Sequence, residues 1–115
     1  MFQILKSDDL RKRALGPVEF EGKQYGAGVS FFVGNLPPGQ GPGMHKHPYP
    51  EIFIVISGRA AAVVDGKEVV ASAGEILVIG PETSHRFTAL DEGAHGVAIH
   101  ASDHFVIEWI TEKSN

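Results

Sequence analysis

The sequence contains no cysteine. Disulfides, thiolate metal ligands and a cysteine nucleophile are therefore excluded together. Positive charge is also scarce, with 10 lysines and arginines against 14 acidic residues and a formal charge of −4. Nucleic acid, whose phosphates demand a basic surface, is not an expected partner. The one basic cluster, Arg11, Lys12 and Arg13, comes just after Asp8 and Asp9 and reads as a solvated, mixed-sign surface. Long hydrophobic runs are missing as well. The longest, residues 52–56 and 60–64, are five residues each, against about 20 needed to span a bilayer. No membrane partner is expected. Lys6, Asp8 and Asp9 interrupt the N-terminal segment before it reaches signal-peptide length, so the expected protein is soluble and cytoplasmic. There is no low-complexity tract, charged linker or internal repeat, and 115 residues suit one domain, 1–115, with one core.

Turn residues, by contrast, are abundant. The 14 glycines and 7 prolines exceed the roughly 12% of average usage and punctuate the chain too often for a helical bundle. One short N-terminal helical turn is expected, with Ser7 as cap, Asp8 and Asp9 near its positive end, and a stop at Gly16 and Pro17 after Leu15. Strands are expected over residues 25–36, 51–56, 59–64, 67–71, 75–79, 86–90, 94–100 and 105–110. Asp65-Gly66 tolerates the positive φ angles of a type I′ turn and predicts a hairpin. Short strands at this spacing imply an all-β sandwich or small barrel. Residues 52–56 are apolar on both parities, so this strand requires cover on both faces, the outer one by a sheet, a helix or a partner subunit. In a domain this small, a homodimer would supply that cover.

The chemical signal lies in the histidines, of which there are six. Gly39, His45, His47, Glu51 and Gly58 are separated by five, one, three and six residues, and His85 stands eleven positions after Gly74. On an extended chain His45 and His47 share a face and can chelate one ion. Pro48 and Pro50 are expected to bend the chain so that Glu51 opens the next strand and turns back toward that ion. Phe53 and Val55 would then fill the interior, as would Phe87 and Ala89 beyond His85, with Arg86 and Thr88 pointing out.

These residues resemble the cupin pattern. Residues 39–58 satisfy every fixed position of the first cupin motif. The second motif, residues 74–89, keeps Gly74 and His85 at the family distance but departs elsewhere. Gly80 occupies the usual proline position, Glu82 stands where glycine is usual, and Ala89 replaces the frequent terminal asparagine. The resemblance implies a jelly-roll β-barrel, commonly dimeric. It also implies one divalent metal held by residues matching His45, His47, Glu51 and His85. Three imidazoles and a carboxylate suit manganese, iron, cobalt, nickel, copper or zinc, and four protein ligands on an octahedral ion leave two positions open.

Tyr49, Phe53, Phe87 and His100 are the expected pocket residues. The Tyr49 hydroxyl reaches the cavity mouth, or the ring packs on the rim. His100 faces the barrel with Ala98, or lies outside while Val97 and Ile99 fill it. His95 is expected on an exposed loop and His104 in a turn, and Phe31 and Trp109 read as core or interface. Fold and metal do not select a reaction. The expected function is a small metalloenzyme, dioxygenase-, isomerase- or lyase-like, acting on a compact oxygen-bearing molecule. The alternatives are a non-catalytic small-molecule sensor with a bound metal, and a metal-free barrel with a vestigial motif.

Overall fold

The structure, a computed structural model, describes residues 1–111. Eight strands form one curled sheet: β1 (Val18–Glu21), β2 (Ser30–Leu36), β3 (His45–Lys46), β4 (Glu51–Val64), β5 (Lys67–Ser72), β6 (Ile76–Ile79), β7 (His85–His100) and β8 (Glu108–Trp109). The helical content is two 3₁₀ turns, Ser7–Leu10 and Gly22–Tyr25. The first is shorter than the expected turn through Leu15, and its cap position is Lys6, not Ser7. With only four residues it cannot meet the cost of nucleating an α-helix, and the chain leaves it to bridge Arg11 to Val18. No described helix is long and apolar enough to cross a membrane.

The frame of the molecule is the antiparallel ribbon of β4 and β7, paired from Glu51↔His100 at one end to Val64↔His85 at the other. The sequence reading breaks each of these strands in two. In the structure both continue through register shifts at Val55/Ser57 and Gly58/Ala60. The bulges let the ribbon bend sharply without ending. A straight 16-residue β7 would be about 50 Å long, yet both of its terminal histidines reach the same carboxylate, as described below. Gly58 and Gly93 stand at the bend with φ of 76° and 74°. A Cβ on Gly58 would lie 2.0 Å from the Gly93 carbonyl oxygen, so no side chain fits there.

On either side of this ribbon further strands attach edge to edge through backbone hydrogen bonds. β5 and β6 pair with β4, and β2 pairs with β7 and carries β1. Asp65 and Gly66 take φ of 51° and 77° and close the β4–β5 hairpin as expected. The core comprises Phe53, Val55, Ala60, Ala62, Ala71, Ile79, Phe87, Ala89 and Ala94. Phe53, Val55, Phe87 and Ala89 thus face inward as their parity predicts. The outer face of the β4–β6 pair is bare: Ile52, Ile56, Ile76 and Val78 are all exposed.

Candidate metal centre

The loop that carries the first two histidines is laid along β7. Gly39 N–H donates to the Ala89 carbonyl at 2.8 Å and Ala89 N–H to the Gln40 carbonyl at 2.9 Å. This brings β3 into register, with His45 opposite His85. At the other end of the ribbon Glu51 stands opposite His100. Because the ribbon curls, the two cross-strand pairs meet. One donor atom from each of His45, His47, Glu51 and His85 lies within 4.8 Å of the others, and all four residues are buried.

Backbone carbonyls orient all three imidazoles. His45 Nδ1 lies 2.7 Å from the Gly43 oxygen, His47 Nδ1 2.7 Å from the Tyr49 oxygen, and His85 Nδ1 2.8 Å from the Thr83 oxygen. A carbonyl oxygen can only accept, so each Nδ1 carries the proton and each Nε2 presents a lone pair. That is the tautomer a metal ligand requires, held by a partner of the kind that metal-bound histidines use.

The fit to a cation follows from what those lone pairs face. His47 Nε2 lies 2.9 Å and His85 Nε2 3.3 Å from Glu51 Oε1. A neutral imidazole lone pair and a carboxylate oxygen repel at such distances, so the arrangement calls for positive charge, either a proton or a metal ion. Burial alone would raise the Glu51 pKa; where that positive charge is a proton on the imidazole nitrogens that face it, the hydrogen bonds from His47 and His85 outweigh burial and hold the group at about 2. Burial likewise acts to lower the His85 pKa, and its bond to Glu51 reverses the sign. His45, which lacks such a bond, is lowered by burial. Three nitrogens and one ionised oxygen, without sulfur, fit one divalent transition metal per chain.

The other residues expected in the pocket pack against the cluster. Phe53 and Phe87 lie 4.5 Å apart between ring centroids, and the Phe87 ring lies 5.8 Å from His85, an apolar flank. Tyr49 and His100 both pack on the His47 ring. His100 faces the barrel, on the parity of Ala98, and is buried with Nε2 3.3 Å from Glu51 Oε1. Burial lowers its pKa to about 4, against the partly opposing charge of Glu51. Tyr49 meets neither expectation for it. Its ring is buried and stacked on His47 at 4.4 Å, and its hydroxyl points inward to His100 Nδ1 at 2.6 Å.

Several other residues differ from their sequence assignments. Trp109 is 63% exposed, so it is not core, yet it pairs with His45 across β3 and β8 with ring centroids 5.2 Å apart. Its place beside the site had no signal in the spacing. His95 is not in an exposed loop. It lies half-buried within β7, opposite Asn35, with Nδ1 buried and unpartnered among the described residues. His104 is exposed beside Asp103, as expected. The altered second motif is also explained. Glu82 adopts φ of 59°, a conformation that favours glycine, and is held by its N–H on the His47 carbonyl at 2.8 Å and by Lys46 at 3.4 Å.

Comparison with known proteins agrees with this geometry. Residues 32–101 match the family model of the cupin domain. A cupin protein from Bacteroides fragilis is 25% identical, with 82% of this chain and 85% of that chain covered and a TM-score of 0.66. An oxalate oxidase is 23% identical, covering 83% of this chain and 54% of its own, with a TM-score of 0.71. Bacillus subtilis oxalate decarboxylase, a protein with Mn(II) centres, is 20% identical at a TM-score of 0.70; 78% of this chain aligns, spanning 26% of that one. A search of curated protein sequences finds no match. The motif spacing, the curled sheet and a family match over more than half of its length show that this chain belongs to the cupin family.

Proposed function

We propose that this chain is a single-domain metalloenzyme acting on a compact, oxygen-bearing small molecule that chelates a metal held by His45, His47, Glu51 and His85. The observation that carries the reading is the donor count. Among the described residues the cluster stops at four, so a six-coordinate ion held there would keep two positions for a chelating ligand. The metal would supply Lewis acidity and a template, or redox chemistry if it is iron or copper. The chain's own residues do the rest. Gly43, Tyr49 and Thr83 carbonyls aim the imidazoles, Phe53 and Phe87 supply an apolar flank, and Tyr49 and His100 pack on the His47 ring. Glu51 is a metal ligand first, so a role as base would require its release.

Structural likeness to an oxalate oxidase and an oxalate decarboxylase supports a small bidentate oxygen ligand and puts oxalate first in a test panel, followed by diketones, catechols and sugars. Protein purified without an affinity tag should contain about one transition metal per chain, and a His45→Ala, His47→Ala double variant should contain none. Oxygen uptake or product formation with a panel member supports the enzyme. Binding without consumption of any of them supports the sensor instead. Equal metal content in the wild type and the double variant overturns the ligand assignment.

The same reading includes a homodimer. Ile52 stands opposite Val78, and Ile54 opposite Ile76, so the outer face of β4 and β6 is a continuous uncharged strip with Ile56 at its end. A second copy carries the same strip and can cover it by two-fold symmetry.

A further inference from the structure

The four proposed ligands are shut away from solvent, with exposures of 4% for His45, 1% for His47, 2% for Glu51 and 0% for His85. Neither an ion nor a chelating molecule reaches them unless part of the wall moves. That wall is uneven. β2 and β3 both lie along the edge of β7 that faces away from β4, at its two ends, and they do not pair with each other. Residues 101–110 close the gap between them. The Phe105 ring stacks on Phe32 of β2 at 4.2 Å, and Trp109 pairs with His45 of β3. Not one residue of this strap is buried, although it lies directly against the site, with the Trp109 ring 5.2 Å from the His45 ring.

The two parts of the strap are held differently. Residues 101–104 are fastened by backbone bonds: Ala101 N–H donates to the Pro50 carbonyl at 3.2 Å, and Lys23 N–H to the Asp103 carbonyl at 2.7 Å. Beyond them the contacts are isolated. Phe105 N–H donates to Glu21 Oε2 at 3.1 Å, Val106 N–H to the Tyr49 hydroxyl at 3.2 Å and Ile110 N–H to the Met44 carbonyl at 3.0 Å, and β8 is two residues long. Short pairing without a buried side chain marks a segment that opens locally, well short of global unfolding.

We propose that residues 105–110 are the door of the metal site, hinged on residues 101–104 and latched by Phe105, Val106 and Trp109. When the door swings out, Trp109 leaves His45, and Val106 releases Tyr49, whose ring covers His47 at 4.4 Å. When it closes, water is kept from the ligands and from whatever they hold. On its opposite side the cluster is backed by the continuous β4–β7 ribbon, which parts only if the sheet unfolds. The proposal deepens the metal reading above and rests on it for what passes through the door.

Lys46 stands opposite Glu108, and their side chains meet at 3.4 Å. In a chain with no cysteine of its own, Lys46→Cys with Glu108→Cys gives a single disulfide across β3 and β8. The oxidised, metal-free form should take up Co(II), followed by its visible absorption, at least about tenfold more slowly than a Lys46→Ser, Glu108→Ser control, and should release it to a chelator more slowly by the same factor. Equal rates overturn the door. Phe105→Ala should speed uptake and release together and leave the affinity unchanged, because a door acts on both rates alike. Loss of affinity without faster uptake would make Phe105 a support of the ligands and overturn its place in the latch. A measurement without metal keeps the door and the metal reading apart. In the metal-free wild type, amide exchange at Val106 and Ile110 should outpace that of Val55 in the core by at least about tenfold. Exchange at the Val55 rate overturns the door whatever the site binds. Fast exchange there, with no Co(II) uptake by the wild type, overturns the metal reading alone.

Discussion

Glu51 is the residue on which the site turns, since His47, His85 and His100 all approach the same oxygen. The consequences for pH follow from the signs. Glu51, depressed to about 2, contributes stability present above its ordinary value and lost as pH falls through about 2. His100, depressed from 6.5 to about 4, favours folding fully above 6.5, and that contribution is lost as pH falls from 6.5 through about 4. His45 acts in the same direction. His85 acts in the opposite one, because its pKa is raised and its contribution is lost as pH rises through the folded value. The His100 shift corresponds to about 3 kcal/mol, and His45 adds to it in sign while His85 opposes it. Urea denaturation of the metal-free protein should therefore show stability falling from pH 6.5 toward 4; a flat profile would contradict it. Glu82 offers a separate test. Its left-handed backbone costs about 1–2 kcal/mol, and the exposed pair with Lys46 returns little. Glu82→Gly should raise stability by up to about 1 kcal/mol in the same assay.

Among the elements, the β4–β7 ribbon does most to make the site, because its curl brings residues from both of its ends together. Gly58 is where the curl is tightest. An alanine there would meet the Gly93 carbonyl and a positive φ at once. Overpacking and backbone strain together predict a loss of about 2–5 kcal/mol for Gly58→Ala, measured by thermal or urea unfolding, with metal binding lost in the same variant. The short pairing of β3 with β8 gives an optical reporter. The single tryptophan of the chain, Trp109, sits 5.2 Å from the His45 ring, so Cu(II) added to metal-free protein should quench its emission with an end point of one ion per chain. Unchanged emission at full occupancy would place the ion elsewhere.

At the scale of the whole molecule, the bare strip on β4 and β6 is the face that the proposed dimer would cover. Light scattering at micromolar concentration should give twice the chain mass. Ile76→Lys with Val78→Lys should give the monomer with its metal content intact, because both side chains point away from the site. A wild-type monomer would remove the dimer from the reading. Burial of the ligands in a single chain also means that metal binding need not wait for association, so the double variant separates the two properties.

How far each level could be read in advance depends on the range of the interactions involved. Residue spacing carried the ligand set: His45, His47 and Glu51 lie within one bend, and His85 sits at a fixed distance from its glycine. Alternation along each strand likewise placed Phe53, Val55, Phe87 and Ala89 inside. These are local properties, set by φ/ψ preference and strand period. The contact between His100 and Tyr49, both expected near the pocket, was not readable in this way. Their meeting spans 51 positions and depends on a curl produced by bulges that leave no period in the sequence. The full lengths of β4 and β7 were hidden for the same reason, since glycines that normally end strands here bend one. The amino-acid order by itself determined which donors the chain offers a metal and which side chains form the apolar flank beside them. Only the tertiary structure decided that a fourth histidine, His100, comes to 3.3 Å from the same carboxylate, because that approach depends on the curl of the ribbon, which folding supplies.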